Sequence, residues 1–229
     1  MAQQKPASAS ITQPIRESYD RLADEYAIRI AGELEHKPFD RELLNRFANS
    51  AKGRGTVCDM GCGPGQVARY LHESGVAVFG LDLSGRMLEE ARKLNPEISF
   101  REGNMLALGL EDGSLAGIVA FYAIVNLPRD FLPQVFREMH RVLRPGGRLL
   151  IAFHAGERTL QENELWGRPI SMQFFLFPTA EIAREIASAG LVIEEALERD
   201  PYPPEVEYQS RRAYILALKP ATPAPSAAP

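Results

Sequence analysis

The stretch VCDMGCGPGQVARYL, residues 57–71, places Gly61, Gly63 and Gly65 between an apolar run and a run with helical spacing. Glycine has no Cβ, tolerates positive φ and lets a ligand come close to the main chain. Three of them where a strand hands over to a helix mark a turn built to hold something, beside a helix N-terminus whose first N–H groups lack partners. Cys58 and Cys62 flank the first glycine; they form neither a disulfide framework nor a recognisable metal-ligand set and read as small packing residues.

Outward from this turn, short β-branched or apolar runs alternate with amphipathic segments, the pattern of a parallel sheet covered by helices on both faces. The strand candidates are TVCDM, AVFGLDL, ISFREG, LAGIVAFYAI, GRLLIAFH, LVIEEALER and RRAYILALK, seven in all. Helices are expected over 66–74, 85–93 and 130–143 and in PTAEIAREIASAG. Pro145 cannot continue a helix and Gly146 and Gly147 can take positive φ, so RPGG is read as a turn into the fifth strand.

The bulk properties set bounds. With 229 residues, 45% hydrophobic and 24% charged, the chain fits one domain with a substantial core. A net charge of −4 gives no basic footprint for nucleic acid or an anionic membrane. No apolar run approaches the roughly 20 residues of a membrane span, and MAQQKPASAS lacks the apolar core of a signal peptide, so a cytoplasmic protein is expected. Pro/Ala/Ser-rich ends set the domain boundaries: disorder is expected over 1–12 and 220–229, with the folded domain at 13–219.

The glycine turn falls at the carboxyl end of the first strand, where open α/β sheets bind ligands. Asp82 ends the second strand about twenty residues later, where an acid commonly accepts hydrogen bonds from ribose hydroxyls. An adenosine-containing ligand is implied. The dinucleotide fingerprint needs its third glycine three positions after the second, but that position holds Gln66 and the third glycine comes early, at Gly65.

With VCDMGCGPG as a first motif and FGLDLSGRMLEEAR as a second, the chain resembles the class I S-adenosylmethionine-dependent methyltransferases of the small-molecule type. FREGNMLAL, LAGIVAFYAIVNL and FREMHRVLRPGGRLLIAFH match later blocks in order and spacing, and ESYDRLADEYA is similar to the helical cap before the sheet. The resemblance covers residues 15–219. It implies a Rossmann-like, doubly wound, seven-stranded, mostly parallel sheet with an N-terminal helical cap and a lid insertion after the fifth strand. It also implies S-adenosyl-L-methionine as cofactor, S-adenosyl-L-homocysteine as product and a small-molecule acceptor.

Carried over position by position, the resemblance places Gly61, Gly63 and Gly65 along the methionine part of the cofactor, with Asp59 near its ammonium group. Asp82 holds the ribose, Leu83 and Met87 pack on the adenine, and Met105 with the Asn104 amide reads the adenine edge. Asn104 departs from the aspartate more usual there, but an amide both accepts and donates. Phe121 lines the methionine end, and Tyr19 and Tyr26 are assigned to the cofactor carboxylate.

A sulfonium carries an activated methyl group, so catalysis is expected to rest on alignment, with no metal. Acceptors that must lose a proton also need a base. His154, ending the fifth strand, is the candidate base, with Tyr26 and Asn126 as catalytic partners; His72 and His140 read as solvated and His36 as a loop residue. Tyr122, Asn126, His154, Trp166, Met172, Phe174 and Arg211 are expected to meet the acceptor. ENELWGRPISMQFFLFP and PYPPEVEYQSRRAY are the specificity segments, the first an apolar lid or a hairpin closing the core, and Arg168, Arg211 and Arg212 suit an acidic acceptor. The expected reaction is in-line methyl transfer to nitrogen or oxygen of a small aromatic or heterocyclic acceptor. Transfer to carbon or sulfur, or cofactor binding without turnover, are the alternatives.

Overall fold

A computed structural model describes residues 5–221. The chain opens with α1 (Lys5–Ile30), a 3₁₀ turn (Glu33–His36) and α2 (Pro38–Ala51). The alternating part follows: β1 (Val57–Met60), α3 (Gln66–Glu73), β2 (Val78–Asp82), α4 (Gly85–Leu94), β3 (Ser99–Glu102), β4 (Leu115–Phe121), α5 (Leu132–Val142) and β5 (Leu143–His154). The last third holds β6 (Thr159–Leu165), β7 (Arg168–Phe175), α6 (Thr179–Ser188), β8 (Val192–Arg199) and β9 (Arg212–Leu218). Among the described residues no helix is long and apolar enough to cross a membrane.

Seven strands form one sheet in the order β3-β2-β1-β4-β5-β9-β8, with β9 antiparallel to both its neighbours. The expected seven-stranded, mostly parallel, doubly wound architecture is what forms. Period-two alternation builds two cores. In β5, Leu149, Ile151 and Phe153 pack with α5 and α6, while Leu150 and Ala152 face Phe47 of α2 and Leu71 of α3. Chain order reverses between β1 and β4, and this switch point opens a crevice at the carboxyl ends of the strands.

Two local expectations need correction. Residues 5–12, read as disordered from their Pro/Ala/Ser content, belong to α1. Residues 1–4 and 222–229 lie outside the described residues. The RPGG segment lies inside β5, whose ladder jumps from Leu115↔Leu143 to Gly117↔Arg148. Main-chain bonds tie it to the end of β9: Gly146 N–H donates to Lys219 O at 2.8 Å, and Lys219 N–H to Gly147 O at 2.9 Å. The segment after the fifth strand is a two-stranded hairpin, β6 with β7, whose inner face puts Ile170 and Met172 against Leu22 of α1.

Candidate cofactor and acceptor site

The glycine turn is fixed from both sides. Gly61 N–H and Cys62 N–H donate to Leu81 O at 2.7 and 3.1 Å, and Gly65 N–H to Cys62 O at 2.9 Å. Gly61, Gly63 and Gly65 all have positive φ, at 72°, 50° and 85°. Their surroundings differ. A Cβ at Gly65 would lie 2.8 Å from Phe100 and 2.9 Å from Asn95, and one at Gly61 2.6 Å from Ala123, so packing forbids a side chain at either. At Gly63 the nearest atom would be Tyr26 Cε1 at 3.8 Å, leaving the main chain open beneath that ring. Buried Asn95, which the sequence reading passed over, donates to Pro64 O at 3.1 Å and braces the loop from below.

Both acids work on this turn. Asp82 Oδ2 accepts from Gly63 N–H and Oδ1 from Ser84 N–H, each at 2.8 Å. Asp59 Oδ2 accepts from Ala68 N–H at 2.8 Å, satisfying one of the unpaired donors in the first turn of α3. Burial pushes the Asp59 carboxyl up to about 7, opposed by that hydrogen bond. Burial also raises Asp82, against its bonds to Ser84 and Gly63.

Next to Asp82 a cavity of about 400 Å³ is lined by Leu83, Gly103 and Asn104, with Thr12, Gln13 and Arg16 of α1 on its other side. Arg16 Nε donates to Leu83 O at 3.1 Å and its Nη2 pairs with Glu102, so α1 closes this side of the cavity. Asn104 lines this cavity, its Oδ1 accepting from Leu106 N–H at 2.9 Å. Met87 is fully buried, Met105 packs against the main core, and Phe121 packs on Tyr122 and Tyr214. The volume suits a small ligand. With the open main chain at Gly63 and an acid ending β2, the residues present fit an adenosine cofactor.

The roof comes from α1 and the hairpin. Tyr19 donates to Asn126 Oδ1 at 2.7 Å, and Asn126 Nδ2 donates to Gln173 O at 2.8 Å. Asn126, expected to touch the acceptor, is a latch between helix and hairpin. Tyr26 meets Tyr19 edge-on, with ring centroids 6.0 Å apart, and Trp166 at 5.6 Å. Burial raises both tyrosine hydroxyls, so they stay protonated at neutral pH. Trp166 and Gly167 turn the hairpin with φ of 52° and 75°, and Arg29 lies 5.1 Å from the indole centroid. Positive φ at a tryptophan is strained, and here it holds the ring on Tyr26.

Three expected acceptor residues are placed elsewhere. Met172 is buried in the seam between the hairpin and α1, where Phe174 also packs. Arg211 is exposed and pairs with Glu198 and Asp200 at 3.0 and 3.3 Å. Its neighbour Arg212 points inward, because adjacent strand residues face opposite ways.

Arg212 lies in a buried charged cluster behind Tyr122 and His154. Its Nη1 lies 3.0 Å from His154 Nδ1, and Ser210 Oγ approaches the same nitrogen at 2.7 Å. Tyr122, with φ of 56°, sits 5.1 Å from the His154 ring and between two cations, Lys37 Nζ at 5.7 Å and Arg212 Cζ at 5.5 Å from its centroid. Glu207 bonds Arg199 at 2.5 Å and lies 3.4 Å from Arg212 and 3.8 Å from Lys37; Asp40 takes Arg199 at 2.9 Å. Burial first, then Arg212, pushes His154 down to about 3, so the ring is neutral and a poor proton acceptor near pH 7. The base expected at this position meets surroundings that oppose that role.

The reversed strand beside the sheet edge and the cavity beside Asp82 define an α/β domain of the S-adenosylmethionine-binding type. Residues 57–147 match the family model described as a methyltransferase domain, and over this segment the chain is similar to the class I S-adenosylmethionine-dependent methyltransferases. A malonyl-[acyl-carrier protein] O-methyltransferase of Pectobacterium atrosepticum is 31% identical over 156 residues, covering 68% of this chain and 59% of that protein. The chain spans about half the length of the curated relatives it matches. A solved S-adenosylmethionine-dependent methyltransferase from Methanosarcina mazei aligns with a TM-score of 0.66 at 16% identity, covering 72% of this chain and 92% of that one. The [4+2]-cyclase SpnF aligns with a TM-score of 0.72 at 14% identity, covering 92% and 97%, so the fold by itself does not fix the reaction.

Proposed function

We propose that this chain transfers a methyl group to nitrogen or oxygen of a small acceptor, aromatic or heterocyclic in the broad reading. The observation that carries this is the shared edge of the sheet: the glycine turn with Asp82 ends β1 and β2, and Tyr122 with His154 ends β4 and β5, under one roof. S-adenosyl-L-methionine, when bound, supplies a methyl group already activated as a sulfonium. The chain's own residues bind and align. Asp82 and the open Gly63 hold the nucleoside side, and Asp59 is placed to receive an ammonium group. Tyr19, Tyr26 and Trp166 keep water from the reacting region, where alignment alone can supply roughly 7–11 kcal/mol. The printed name of the Pectobacterium relative supports an oxygen acceptor. A roof tied down through Asn126 suits a small acceptor, and the net charge of −4 gives no support for a nucleic acid.

The test is release of S-adenosyl-L-homocysteine from a panel of carboxylates, phenols, amines and thiols. Turnover on one of the first three classes is expected. Turnover confined to thiols, or none on any class while the cofactor binds, would overturn the reading.

A further inference from the structure

Arg212 is 2% exposed, and its guanidinium donates to Ser210 O at 2.7 Å and to Tyr208 O at 2.8 Å. Ser210 and Tyr208 belong to the segment between β8 and β9, and Tyr208 lies edge-on to the His154 ring with centroids 5.9 Å apart. A guanidinium has donors only and does not lose its proton in proteins. Ser210 O and Ser210 Oγ, at 2.7 and 2.5 Å, take the two hydrogens of Arg212 Nη1, which still lies 3.0 Å from His154 Nδ1. A cation that close opposes an N–H on Nδ1 and favours a lone pair there, which puts the single proton of the neutral ring on Nε2. Nε2 has no hydrogen-bond partner among the described residues.

We infer that Arg212 is a positioning residue that fixes His154 as an Nε2–H donor toward the acceptor, and that the acceptor is a small carboxylate. This rests on the methyl-transfer reading above. The choice of acceptor follows from proton counting. The groups around His154 are Arg212 of β9, Lys37 before α2, Glu207, Tyr208 and Ser210 of the β8–β9 segment, and Tyr122 after β4. Glu207 is held by three cations and the Tyr122 hydroxyl is raised by burial, so neither is suited to take a proton near pH 7. A protonated amine or a phenol would need such a base. An unprotonated ring nitrogen would not, but Nε2–H would occupy the lone pair that has to attack. A carboxylate has two oxygens and about four lone-pair sites, so one oxygen accepts from His154 while the other reacts. That oxygen forms the new O–CH₃ bond, the electron pair of the breaking S–CH₃ bond stays with sulfur, and no proton moves.

The first arm of the test is long-range ¹H–¹⁵N correlation of the full chain labelled at histidine, with His154 assigned by its loss in His154→Gln. The expected result is the Nε2–H pattern, unchanged from about pH 8 to about pH 5, whereas an ordinary histidine titrates near 6.5. Arg212→Lys and Ser210→Ala should each disturb the pattern, the second without touching the Glu207 ion pairs. An Nδ1–H pattern, or titration near the ordinary value, would overturn the assignment. The second arm compares small carboxylates with their primary amides, and with amines and phenols, by S-adenosyl-L-homocysteine release. Carboxylates alone should react, with a flat pH profile; His154→Ala should lower kcat/KM about 10- to 100-fold, and His154→Gln, which keeps an N–H donor, should recover most of it. Reaction with amines or phenols but not carboxylates would refute the acceptor class. The expected NMR pattern with no turnover on any acceptor would refute the methyl-transfer reading instead.

Discussion

Asp59→Asn should make the ligand-free protein more stable at alkaline pH and weaken its hold on the cofactor. Asp59 is 2% exposed, and burial lifts its carboxyl from 3.8 to about 7. Three units at 1.36 kcal/mol each give a cost of about 4 kcal/mol for keeping it ionised in the fold. The folded state holds this proton at pH values where the unfolded chain has released it, so stability falls as pH rises from about 4 to about 7, and the whole cost is present above 7. Asparagine removes that cost and keeps an oxygen for Ala68 N–H, whose bond is already counted in the net rise. The variant should therefore lead by about 4 kcal/mol near pH 8, roughly 8–16 °C in Tm for a chain of this size, and approach parity near pH 4. Thermal and urea unfolding of both proteins across this range measures the difference, and the other buried acids cancel. Cofactor affinity should fall about tenfold, because the amide donates where an acceptor is needed. A stability difference that does not change with pH, or a variant weaker than wild type near pH 8, would refute the reasoning.

Asp82→Ala removes acceptors from Gly63 N–H and Ser84 N–H, and should weaken S-adenosyl-L-homocysteine binding by about 1–3 kcal/mol in isothermal titration; unchanged affinity would make Asp82 a structural residue only. Gly63→Ala should fold at a cost of about 1–2 kcal/mol from positive φ and lose affinity, whereas Gly65→Ala should cost more stability because its methyl meets Phe100 and Asn95, and equal melting temperatures would contradict the placement of the turn. Trp166→Ala should raise KM for the acceptor and leave kcat nearly unchanged, as for lost uniform binding; a fall in kcat alone would place the indole in the chemistry.

What the sequence made legible was local. The glycine turn, the acid ending β2 and the seven strands each lie within a short window, and their spacing carries the physics. The parts it concealed depend on partners far along the chain. Residues 5–12 are helical although their composition is that of a mobile end, and Arg16, just beyond them, docks on Leu83 O, 67 positions away. Arg199 and Asp40, separated by 159 positions, meet only after β8 and β9 close the sheet. Of the adjacent pair Arg211 and Arg212, alternation says that only one can face inward, but choosing between them needs the register His154↔Arg212. The hairpin was more accessible. Ile170, Met172 and Phe174 alternate with Ser171 and Gln173, and Trp166-Gly167 sits at its turn, so a period-two reading of that stretch finds it.

The central claim is that the glycine turn and Asp82 hold S-adenosyl-L-methionine. Isothermal titration of the full chain with S-adenosyl-L-homocysteine, and separately with NAD, tests it most directly. The account expects one site for S-adenosyl-L-homocysteine, weakened in Asp82→Ala, and no comparable binding of NAD. Tighter binding of NAD, or S-adenosyl-L-homocysteine binding indifferent to both Asp82→Ala and Gly63→Ala, would contradict it.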